Sequence, residues 1–231
     1  MKKYIPSAIT AGNLICGFAA IQIGDFYWSP ILLLCSFVFD GLDGLVARAL
    51  NVTSDFGKQM DSLADVVSFG VAPAYLYSLY SPDVDSWLCK IAPAIIVIAG
   101  TIRLAKFNVS PSLTYFQGLP IPANALFYIG IILAVENNSP FYISFFSSKI
   151  NYLLTPLFLS IMMVSFGLRM FSIKGMTKHW KDNIYHYIMA VIAIVIAIIF
   201  KYESVSYIVI SYIALSIINT LTSKYREKLS I

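Results

Sequence analysis

Charge is scarce in this 231-residue sequence: Asp, Glu, Lys and Arg together make up 12% of it. A soluble domain carries about a quarter, so there is too little charge to cover a water-facing surface, and a soluble globular fold is excluded. Cysteine and histidine are scarcer still, at three and two residues. Cys16, Cys35 and Cys89 lie in apolar stretches without C-x-x-C spacing, which predicts buried small hydrophobes rather than a disulfide or a thiolate metal site. His179 and His186 lie near a basic stretch and read as interfacial polar residues. The alternation of a membrane β-barrel is missing. So is any basic cluster interleaved with aromatics outside the apolar segments, which argues against nucleic acid as a partner. No internal repeat and no linker divides residues 1–231, so one membrane domain is expected.

Apolar residues are what the sequence has instead. They make up 58% of the chain, the mean hydropathy is +0.77, and they run continuously rather than in stripes. Ile31–Phe39 and Ala190–Phe200 are apolar all round, as suits helices that face lipid. The expected fold is all-α: a polytopic integral membrane helical bundle with about eight transmembrane helices. They fall near 8–24, 29–49, 60–80, 87–106, 119–136, 151–170, 185–201 and 204–221. The first reads as a retained helix, because Asn13 interrupts it and no A-x-A site closes it. With the N-terminus inside, thirteen of the 16 Lys and Arg residues fall on the cytoplasmic side, leaving Lys90, Lys149 and Lys201 outside. That asymmetry predicts that both termini are cytoplasmic. Tyr and Trp, including Trp28, Trp87 and Trp180, are expected in interfacial belts.

Against this background stands Asp40–Asp65, with aspartates at 40, 43, 61 and 65. A charged side chain at mid-membrane costs roughly 2.5–3.5 kcal/mol, so four facing lipid would cost on the order of 10 kcal/mol. Asp40 and Asp43 are three residues apart, and Asp61 and Asp65 four apart, so each pair lies on one helix face. The connecting loop is short enough for the two faces to oppose each other. Converging carboxylates repel and raise one another's pKa, a conflict that a divalent cation, or two, removes. Oxygen ligands without His or Cys point to Mg²⁺, Mn²⁺ or Ca²⁺ rather than zinc. Gly41, Gly44 and Ala47 keep side-chain bulk away from the acids, and Arg48 offers a forked donor to a phosphate. Close helix packing alone would also account for the small residues. Together these groups suit a diphosphate whose tail stays in lipid.

At this point the residues resemble a known family. Asp40-Gly41, Asp43-Gly44, Ala47-Arg48, Gly57, Asp61 and Asp65 reproduce, spacing included, the signature of the CDP-alcohol phosphatidyltransferases. The resemblance implies an enzyme that joins a CDP-linked lipid to an alcohol and releases CMP. It further implies that Asp40, Asp43 and Asp61 bind one metal ion and Asp40, Asp61 and Asp65 a second, with Asp65 as general base. Gly44, Arg48 and Ser54 match positions that contact the CDP part. Asp61–Ala74, Ile102–Val109, Gly118–Ala125 and, less tightly, Pro6–Asn13 are similar to bacterial and archaeal membrane-bound phosphatidylserine synthases. Lys106 stands where that subfamily commonly has Arg, and Ser7 where Asn is usual.

The substrates implied are CDP-diacylglycerol and L-serine, in a cell membrane with the active site facing the cytoplasm. Arg103 or Lys106 would meet the serine carboxylate, Asn108 its amine or carboxylate, and Ser68 would line the pocket. Plain positive-inside anchoring explains Arg103 and Lys106 equally well. The resemblance also implies a homodimer. Other acceptors (glycerol phosphate, inositol phosphate, choline) and an ether-lipid donor stay open, as does a different class, a cation transporter. A transporter would usually show matching broken helices in its two halves, whereas all four acids here sit in one stretch.

Overall fold

The computed structural model describes residues 2–110, 116–165, 169–170 and 184–229. The basic loop, with Lys174, Lys178, His179, Trp180 and Lys181, lies outside them, as do the side chains of Lys224, Arg226 and Lys228. Among the described residues the chain is helical apart from turns and one two-residue ladder. That ladder pairs β1 (Phe116–Gln117) with β2 (Arg169–Met170) in antiparallel register.

Helices α1 (Ile5–Ile23) and α2 (Trp28–Ala49) form a hairpin. Gly24 ends α1 with φ of 62°, its amide bonded to the Ala20 carbonyl at 3.0 Å. Asp25 then takes the amides of Tyr27, Trp28 and Ser29 at 3.1, 2.6 and 3.1 Å. This acidic residue satisfies donors that the first turn of α2 cannot use internally. A third apolar span, Asp55–Leu79, follows a short loop. It comprises α3 (Asp55–Asp65), a π turn (Val66–Val71) and α4 (Ala72–Leu79). Next come α5 (Trp87–Val109), α6 (Ile121–Glu136), α7 (Pro140–Ser147) and α8 (Lys149–Val164). Helices α9 (Ile184–Phe200) and α10 (Ser204–Leu229) close the chain around a 3-10 turn at Lys201–Glu203.

The chain is a helical membrane protein, and each of the eight expected spans meets a helix. By length and apolar composition, however, five helices among the described residues can cross a bilayer, or six with α7 and α8 taken as one broken span. Two features lower the count below eight. The 16-residue α6 is short for the purpose, and Ile184–Thr222 passes as one 39-residue stretch although the 3-10 turn divides it. Helix α7 was not expected. It meets α8 at a bend of 94°, where Ser148 adopts extended backbone between the two. The sixth span ends at Val164, short of the expected 170.

Three tyrosines that the belt expectation would place at an interface are instead fully buried. Tyr77 of α4 stacks on Tyr152 of α8 at 4.6 Å and meets Tyr128 of α6 edge-on at 5.0 Å. The Tyr77 hydroxyl donates to the Tyr152 carbonyl at 2.9 Å, so the polar tip is satisfied while the ring packs. Trp28 and Trp87 are exposed, as the belt reading expects. Of the cysteines only Cys89 is buried; Cys16 is half-buried and Cys35 exposed, which on a membrane helix means facing lipid.

Candidate active site

The site lies where α1, α2 and α3 converge at the end of the bundle that carries the α2–α3 loop. Ser54 caps α3, its hydroxyl accepting the Gly57 amide at 3.1 Å, as an N-cap serine does. That cap starts α3 with the phase that turns Asp61 and Asp65 toward α2. Carboxylate oxygens of Asp40, Asp61 and Asp65 all lie within 4.8 Å of one another. One oxygen of Asp61 is buried and has no hydrogen-bond partner.

Asp43 stands apart from that trio. It is buried, and Thr10 of α1 donates to it at 2.5 Å. Asn13, one turn farther along α1, donates its side-chain amide to Asp65 at 3.2 Å. A cleft of about 200 Å³ opens beside the acids, lined among others by Ser7, Thr10, Asp43, Gly44, Arg48, Ser54, Lys58 and Asp61. A side chain at Gly41 would meet nothing within 4 Å, and at Gly44 the nearest atoms are the Arg48 guanidinium nitrogens at 3.8 and 3.9 Å. The small residues therefore leave space in front of the acids and the arginine.

Three loosely packed carboxylates without a counter-charge would repel strongly in a low-dielectric setting. The hydrogen bond from Asn13 orients Asp65 and the one from Thr10 orients Asp43, but neither neutralises a carboxylate. A donor set of hard oxygens, one of them buried and unpartnered, fits a divalent cation.

The proposed acceptor residues fall into two groups. Arg103 is buried on α5 within electrostatic range of Asp65 and of Tyr212 on α10. Lys106 is half-buried one turn further on. Ser68 and Asn108 are engaged elsewhere. Ser68 donates to the Asn13 carbonyl at 3.0 Å. Asn108 donates its side-chain amide to Ser62 and Gln59 on α3 at 2.9 and 3.3 Å, while its backbone carbonyl takes the Lys58 ammonium at 2.8 Å. Asn108 thereby ties the end of α5 to α3. Thr10, Asn13 and Lys58 were not singled out from sequence as site residues. For Thr10 and Asn13 the available signal was the three-residue spacing of Ser7, Thr10 and Asn13 along a largely apolar helix; Lys58 had none.

The family model of the CDP-alcohol phosphatidyltransferases matches residues 3–162. The chain belongs to that family. The match takes in α1 to α7 and nearly all of α8, and leaves α9 and α10 outside. Phosphatidyltransferases similar to this chain include the CDP-diacylglycerol–serine O-phosphatidyltransferase of Methanocaldococcus jannaschii, 43% identical over 133 residues, or 58% of this chain and 62% of that one. The protein of the same name from Bacillus subtilis is 41% identical over 127 residues, 52% of this chain and 70% of the relative. An archaetidylserine synthase of Methanothermobacter thermautotrophicus is 36% identical over 168 residues, 70% and 67% of the two chains. The chain thus spans about three-fifths of the first relative's length.

Proposed function

We propose that this phosphatidyltransferase transfers the phosphatidyl group of CDP-diacylglycerol, or of its ether-lipid counterpart, to L-serine and releases CMP. The observation that carries the reading is the convergence of Asp40, Asp61 and Asp65 within 4.8 Å beside a cleft edged by Arg48. The names of the similar proteins support serine as acceptor.

In this reaction the serine hydroxyl oxygen forms a bond to the lipid-bearing phosphorus as the bond from that phosphorus to the CMP oxygen breaks. Asp65 takes the hydroxyl proton, with Asn13 holding its carboxylate in place. Arg48 offers forked donors to the diphosphate, which suits the charge carried off with CMP. Gly44 and Ser54 border the same cleft and contact the nucleotide end. Arg103, with Lys106 at the helix end, meets the serine carboxylate. Asp40, Asp43 and Asp61 would hold one divalent cation, and Asp40, Asp61 and Asp65 a second, Mg²⁺ or Mn²⁺. Such ions neutralise phosphate charge and stabilise the leaving group.

The basic-residue asymmetry supports a site, and both termini, on the cytoplasmic side of the cell membrane. The homodimer implied by the family belongs to the same proposal, and the mass of the detergent-solubilised protein by light scattering reads it. The reaction itself is tested with purified protein, labelled serine and CDP-lipids of diacyl and ether type, with and without chelator. Label in the lipid phase, matched by CMP and lost on chelation, is the expected result. CMP release with glycerol phosphate or inositol phosphate in place of serine would overturn the acceptor, and no CMP release with any alcohol would overturn the reaction.

A further inference from the structure

Beneath the acidic trio, one backbone oxygen does two jobs. The carbonyl of Asn13 accepts the hydroxyl of Ser36 on α2 at 3.0 Å and that of Ser68 in the π turn at 3.0 Å. Both serines are fully buried. Ser36 precedes Asp40 by four residues on α2, and Ser68 follows Asp65 by three inside the π turn, so each lies about one turn of chain from an acid. The packing here is close: a Cβ at Gly17, one turn along α1 from Asn13, would come 2.7 Å from the Ser68 Cα. The Asn13 side chain belongs to the same junction. Its amide nitrogen bonds Asp65, and its oxygen is buried without a partner.

We infer that Ser36 and Ser68 are positioning residues that, through the Asn13 carbonyl, fix the separation of Asp40 from Asp65 and so set which size of divalent cation the acids prefer. The inference rests on the cation reading above. Two helices, each carrying one of the acids, are pinned to a single atom one turn below them, and that atom is held in turn by α1. Mg²⁺ requires near-ideal octahedral geometry at short distances, whereas Ca²⁺ accepts longer and more irregular contacts. A pinned pair of acids favours the demanding ion, and a loosened pair gives up that preference while still binding the tolerant one. Replacing either serine by alanine removes only a hydroxyl, and the Asn13 carbonyl keeps its helical amide partner four residues on. The fold has little reason to fail.

The test is thermal unfolding of the full chain in detergent, titrated separately with Mg²⁺ and Ca²⁺, for the parent, Ser36→Ala, Ser68→Ala and the double variant. The parent is expected to be stabilised by Mg²⁺ at lower concentration than by Ca²⁺. The double variant should need about tenfold more Mg²⁺ for the same shift, with its Ca²⁺ requirement nearly unchanged, and each single variant should move in the same direction. A purely structural role would lower the unfolding temperature and leave the ratio of the two requirements alone. Equal changes for both ions, no change, or a larger loss for Ca²⁺ would overturn the inference. If the parent responds to neither ion, the cation reading itself falls, and the inference with it. The single variants decide the matter should the double variant not fold.

Discussion

Helix α1 and helix α9 both read as apolar helices for lipid, yet the structure uses them in opposite ways. Both are apolar and of similar length, 19 and 17 residues. On α1 the buried positions are Thr10, Asn13, Gly17 and Ala20, small or polar residues that touch the acids or let other backbone come close. Helix α9 has no buried residue along its whole length and, among the described residues, packs chiefly against α10 and the adjoining turn. Hydropathy therefore says which segments are helices in lipid but not which carry chemistry. Chemistry shows instead where a polar group is kept in an apolar helix at a cost, and where its partner sits on another helix. The family match ends within α8 and so follows the same division.

The contrast breaks most sharply at the acids. Asp61→Asn removes a member of the trio and is expected to lower CMP release by more than about 100-fold, beyond what loss of an outer-shell partner does. Near-parent turnover would show that the acids do not act as a group. Asn13→Leu keeps the branched skeleton but loses the bond to Asp65, so kcat should fall by about tenfold. KM for the CDP-lipid should stay put, and a rise in KM with kcat intact would make Asn13 a substrate contact instead.

The C-terminal pair should answer to stability rather than to turnover. A Cβ at Gly130 would lie 2.9 Å from the Ser206 Cα, so Gly130→Val forces α6 and α10 apart. It should cost about 1–3 kcal/mol, read as a lower unfolding temperature with kcat per folded molecule retained. A selective loss of activity would place α10 in the active site after all. Smallest of all, Ile194→Ala on the exposed face of α9 should change stability by less than about 0.5 kcal/mol and leave turnover untouched.

Much of the site was legible because a helix has one period. Spacings of three and four placed Asp40, Asp43, Asp61 and Asp65 on facing surfaces, and Asp40, Asp61 and Asp65 do converge. Gly44, Arg48 and Ser54 fall on the cleft for the same reason, being local to those helices. What was not legible comes from helices distant in sequence. Thr10 reaches Asp43 across 33 residues and Asn13 reaches Asp65 across 52, and no local pattern announces such pairs. Ser68 and Asn108 were expected at the serine pocket, but their donors are spent on the Asn13 carbonyl and on α3. In the fold, the apolar runs gave the helices, while the bend at Ser148 and the wide turn at Val66–Val71 depend on tertiary packing that composition does not encode.

That wide turn has a consequence for how the span can vary. An α-helix rotates about 100° per residue, and a π turn inserts one residue beyond the regular count. Upstream of it the span shows its carboxylates to α1 and α2; downstream, the same rod shows Tyr77 to Tyr128 and Tyr152. The extra residue works as a gear change between two surfaces that an unbroken spiral would not align with both sets of neighbours. Swapping one side chain for another along Val66–Val71 leaves that gearing intact. Deleting a single residue there would turn one end by roughly a quarter of a revolution, setting either the acids or the tyrosines against the wrong neighbours.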